Sequence, residues 1–128
     1  MSKRIGIIFV FAVLSFGGLA QQKLSYTDVD KRSYELFLEK DWNELIRLSK
    51  ESVGQGINFF YLQARTGIAY YNLKKYRTAA DWFLMAWEND KSFEWLQEYL
   101  YYSLLLGGRA GEAEKTAGTT DHRNAFEF

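Results

Sequence analysis

The 128 residues suit a single domain, and 16 Lys plus Arg balance 16 Asp plus Glu. That balance, with no basic block, excludes a phosphate-tracking nucleic-acid surface. The absence of cysteine excludes disulfides, a thiol nucleophile and lipid attachment at a cysteine, and the absence of proline leaves helices to stop by other means.

The chain opens with Lys3 and Arg4, then an almost unbroken apolar run over residues 5–16, and closes the segment with Gly18-Leu19-Ala20. A charged start, an apolar stretch and a small-x-small end predict a secretory signal peptide over residues 1–20, cleaved after Ala20. The alternatives are an uncleaved anchor and a buried core helix. The run is short of the ~20 residues a span needs, and it has no polar face for a core helix to turn outward. Cleavage removes two basic residues, so the mature chain carries 14 basic and 16 acidic residues.

Helices are expected near 27–39, 42–53, 58–73, 76–89, 92–106 and 110–117. The first two open with a capping residue three before an acid, at Thr27-Asp28-Val29-Asp30 and Asp41-Trp42-Asn43-Glu44. Gly54 and Gly56 break the chain next, and Asn58 is placed to cap the third helix. Gly107 and Gly108 end the fifth, where a left-handed residue is often needed.

These elements repeat. Trp42, Tyr76 and Ala110 are 34 residues apart, as are Leu45, Ala79 and Ala113, and Leu36, Tyr70 and Leu104. The middle unit reads Gly67-Ile68-Ala69-Tyr70, then Ala79-Ala80-Asp81-Trp82-Phe83 with Ala86 beyond. Small residues at Gly67 and Ala79 let two helices cross closely, and Tyr70, Tyr76 and Phe83 fill the surrounding space. A period of 34 with this pattern resembles the tetratricopeptide repeat (TPR) family over roughly residues 27–115. The family's closing proline is absent, with Lys91 at its place.

The resemblance implies an all-α fold: a short α-solenoid of antiparallel helix pairs following the signal peptide. The repeat domain covers 21–117, with units near 24–57, 58–91 and 92–117, the last incomplete. The apolar face carrying Leu100, Leu104 and Leu105 then has only a short partner helix, so either the chain is the front part of a longer protein or this face self-associates. Residues 118–128 have no apolar period and are expected to be a flexible tail.

No catalytic or metal-binding set is legible, and no cofactor is implied. His122 is the only histidine and lies in the expected tail. The acidic pairs Glu35 and Glu39, and Glu94 and Glu98, read as solvated helix faces. The resemblance instead points to the first helix of each unit as the lining of a concave groove. The residues expected there are Tyr34, Phe37 and Leu38, then Tyr61, Arg65, Ile68, Tyr71 and Asn72, then Trp95, Glu98, Tyr99 and Tyr102. Rings with one arginine suit an extended peptide, because rings supply contact area and Arg65 can pair a carboxylate. The clamp of lysines and asparagines that some relatives use is not evident, since Asp30 and Tyr34 stand in the matching region.

The expectation is therefore an exported bacterial protein-interaction module of the periplasm or cell envelope, binding a protein or peptide and catalysing no reaction. The alternative is the N-terminal structural domain of a larger outer-membrane or envelope protein.

Overall fold

Helices α1 (Tyr26–Glu39) and α2 (Trp42–Gly54) open the computed structural model, which describes residues 22–117. They are followed by α3 (Phe60–Asn72), α4 (Tyr76–Asn89), α5 (Glu94–Leu106) and α6 (Ala110–Ala117). Among the described residues there is no strand, so the fold is all-α. The expected signal peptide and the expected tail lie outside the described residues.

Three caps differ from expectation. The cap of α1 is Ser25, two residues before Thr27. Its hydroxyl accepts the Asp28 N–H at 3.2 Å and donates to the Asp28 carboxylate at 2.7 Å. The Leu24 N–H donates to Gln55 Oε1 at 2.8 Å and the Tyr26 ring meets Phe59 at 4.4 Å, so tertiary contacts set this start. Helix α3 begins after Phe59 in extended backbone, while Asn58 Oδ1 instead accepts the buried Gln63 amide at 2.9 Å. Asp41 does precede α2, but its side chain makes no cap bond.

The turns within the helix pairs recur every 34 residues. Lys40, Lys74 and Gly108 adopt positive φ values of 56°, 60° and 78°. The residue after each donates its N–H to the carbonyl five positions back, in the last turn of the helix. The bonds are Asp41 to Leu36 (3.0 Å), Lys75 to Tyr70 (2.9 Å) and Arg109 to Leu104 (2.7 Å). This closes the orphan carbonyls of each first helix and reverses the chain within two residues. The turns between pairs differ from one another. Gly56 at φ 82° closes one. In the other, Asp90 Oδ1 accepts both the N–H (2.9 Å) and the hydroxyl (2.6 Å) of Ser92. Lys91 sits inside that turn, so a side-chain carboxylate closes it where no proline is available.

Each helix packs on the next, α1 also touches α3, and α3 touches α5. Leu36, Tyr70 and Leu104 are buried, and so are Leu45, Ala79 and Ala113. In the column of Trp42, Tyr76 and Ala110, the first two are half-buried and Ala110 is exposed. Gly67 lies against Phe83, and a Cβ there would sit 2.6 Å from the ring. Gly107 makes a second close approach, its would-be Cβ 2.9 Å from the Arg77 backbone nitrogen at the start of α4.

One expectation about the third unit is corrected. Leu100 and Leu104 are fully enclosed, because α4 covers one side of α5 and α6 the other. Gln97 Nε2 also donates to the Thr116 carbonyl at 2.9 Å, and Arg109 joins α6 to Asp81 of α4 at 2.6 Å. Among the described residues of this end, Leu105 and Leu106 are 42% and 53% exposed.

A candidate partner-binding cleft

Helices α1, α3 and α5, the first of each pair, place a set of aromatic residues on one surface. Helical spacing explains the grouping: Tyr34 and Phe37 are three apart, Tyr61, Arg65 and Ile68 fall at i, i+4 and i+7, and Trp95, Glu98, Tyr99 and Tyr102 at i, i+3, i+4 and i+7. Two adjoining clefts result. The first, of about 390 Å³, is lined by Tyr34, Phe37, Tyr61, Ala64, Arg65, Ile68, Trp95 and Tyr99. The second, of about 300 Å³, is lined by Tyr71, Trp95, Glu98, Tyr99 and Tyr102. Trp95 and Tyr99 form the shared wall.

Of the expected groove residues, Tyr34, Phe37, Tyr61, Arg65, Ile68 and Trp95 meet in the first cleft, and Tyr71, Glu98 and Tyr102 in the second. Asn72 and Leu38 line neither. The Asn72 amide is turned back to the Ile68 carbonyl of its own helix at 2.8 Å. Ala64 forms part of the first cleft and was not anticipated; a small buried residue three after Tyr61 reads in sequence as ordinary core. The support of Trp95 was also missed. Phe93 lies 5.4 Å from it and stacks on Phe60 at 5.1 Å, so rings from the helix starts hold the indole in place.

Arg65 is less available than its charge suggests. Its Nη1 donates to Asp30 Oδ1 (2.8 Å), the Asp30 carbonyl (3.1 Å) and Ser33 Oγ (2.9 Å). Its guanidinium also lies over the rings of Tyr34 and Tyr61 at 5.2 and 5.5 Å. Asp30 and Tyr34 therefore anchor Arg65, which ties α3 to α1 and leaves the first cleft lined mainly by apolar and aromatic groups. Tyr71 in the second cleft has its hydroxyl pKa raised, first by burial and then by the neighbouring Tyr76, Tyr99, Tyr102 and Glu98.

Glu35 is paired with Arg32 at 3.4 Å on an exposed face, and Glu94 and Glu98 are exposed. His122 lies outside the described residues. No helix among the described residues is long and apolar enough to cross a membrane. No family model matches the chain, and neither a curated protein nor a solved structure matches it.

Proposed function

We propose that the chain is an exported protein-interaction module, a short TPR-like array that holds an extended segment of a partner protein across the first helices and catalyses no reaction. The observation that carries this reading is the pair of adjoining clefts along α1, α3 and α5, with Tyr34, Tyr61 and Trp95 between 38% and 50% exposed at their rims. Half-exposed rings over a formed cleft are the usual anchors of a protein interface. The turn geometry repeating at Lys40, Lys74 and Gly108 supports the repeat reading. The run over residues 5–16 supports export to the periplasm or envelope.

Selection from a library of displayed random decapeptides tests the binding reading. The chain recovered from expressing cells should retain a defined set of peptides, and Tyr61→Ala with Trp95→Ala should release them while melting cooperatively. Retention of no peptide, or of the same set by the double variant, overturns it. The intact mass of the protein recovered from an envelope fraction tests export, and should correspond to a chain beginning at Gln21. A mass that includes residues 1–20 overturns cleavage.

A further inference from the structure

We propose that the second cleft is a cation site that takes an arginine side chain of the bound segment; this rests on the partner-binding reading above. Four aromatic residues, Tyr71, Trp95, Tyr99 and Tyr102, line this cleft together with one exposed carboxylate, Glu98. Ring faces carry negative potential and attract a cation, most strongly where water is partly excluded. Glu98 supplies the only formal charge in this lining. Among the described residues it forms no ion pair: every bridge there uses Glu35, Glu44, Glu51, Asp30, Asp81 or Glu112. The one cation of the adjoining cleft, Arg65, is already neutralised by Asp30 at 2.8 Å. The two clefts together thus present apolar and aromatic walls with one unpaired negative charge.

That charge pattern selects the occupant. An acidic segment meets Glu98 with no counter-charge, so it is repelled. An apolar side chain fits the first cleft but leaves the Glu98 carboxylate unused. A guanidinium stacks flat on rings and offers a fork of N–H donors to a carboxylate, which an ammonium cannot match in plane. Tyr71 and Tyr99 meet edge to face at 5.2 Å, and Tyr99 stacks on Phe83 at 5.3 Å, so packing holds these two rings of the wall in place. Because Trp95 and Tyr99 are common to both clefts, the arginine enters beside an apolar residue of the same segment.

The displayed-peptide selection supplies the test. Sequences retained by the chain should be enriched in arginine next to apolar residues and depleted in Asp and Glu. A retained peptide resynthesised with citrulline, the uncharged shape analogue of arginine, should bind roughly two- to thirtyfold more weakly. In Glu98→Gln, whose side chain is exposed and whose melting should match the parent, that ratio should fall to the smaller preference that the rings alone supply. Retained peptides without basic enrichment overturn the cation site but leave the cleft reading standing, as does an arginine-to-citrulline ratio unchanged by Glu98→Gln. Retention of nothing overturns both.

Discussion

At the scale of single residues, two backbone requirements carry much of the architecture. Gly67 exists because Phe83 occupies the space a side chain would need, 2.6 Å from the position of a Cβ. Gly67→Ala should cost about 1–3 kcal/mol in denaturant unfolding, since the buried Phe83 ring must shift within a packed core. Glu88→Gln, on an exposed face, should stay within about 0.5 kcal/mol. Equal losses from both would mean that α3 and α4 do not cross at Gly67. The second requirement is the left-handed residue of the tight turns, filled by Gly108 in one and by Lys40 and Lys74 in the others. A β-carbon is strained there, and the strain outweighs the extra unfolded-chain entropy of glycine. Lys74→Gly should therefore raise stability by roughly 0.5–1 kcal/mol, and Gly108→Ala should lower it by a similar amount. A thermal melt in which Lys74→Gly lowers Tm would contradict this account of the turn.

At the scale of elements, the third helix pair is held by different means from the first two. Helix α6 is only 8 residues long and buries a single residue, Ala113. Its attachment leans on polar ties, the Gln97 amide to Thr116 and Arg109 to Asp81 and Glu112. Partly exposed ion pairs contribute little globally but can decide whether a short helix stays docked. Arg109→Ala should speed amide hydrogen exchange in α6 by roughly two- to fivefold, leaving α3 protected as before. Uniform loss across both helices would show that Arg109 supports the whole fold instead. The enclosure of Leu100 and Leu104 belongs to this scale, because α4 covers them as much as α6 does.

At the scale of the whole molecule, aromatic packing couples stability to pH. The Tyr71 hydroxyl is raised above its ordinary value of 10.0 by burial and by neighbouring rings and Glu98. Below about pH 10 the folded and unfolded chains both carry a neutral phenol, and the full stability is present. Above it the unfolded chain loses that proton first, which favours unfolding until the folded value is passed. Tm should therefore fall as pH rises through 10, and Tyr71→Phe should make the fall shallower. A Tm profile above pH 10 identical in the parent and Tyr71→Phe would assign the decline to other groups. The same cluster joins the clefts, so ligand that enters beside Trp95 should also protect the Tyr71 to Tyr99 contact.

Much of this molecule was legible before any coordinates. Phase among Leu36, Tyr70 and Leu104, and among Leu45, Ala79 and Ala113, located the helices within about two residues, because a fixed period of small and apolar residues admits few packings. Helix spacing put Tyr61 with Arg65 on one face of α3 and Trp95 with Glu98 on one face of α5, since side chains three and four apart share a face, while the expectation that the two faces join rested on the resemblance to a repeat array. Tertiary structure alone decided the rest. Ser25 rather than Thr27 caps α1 because Gln55, far along the chain, fixes the segment before it. Arg65 serves Asp30 and two tyrosine rings because α1 lies beside α3, a proximity that no local pattern encodes. Leu100 and Leu104 are covered from both sides because burial depends on which helices approach, whereas periodicity shows only which face seeks cover.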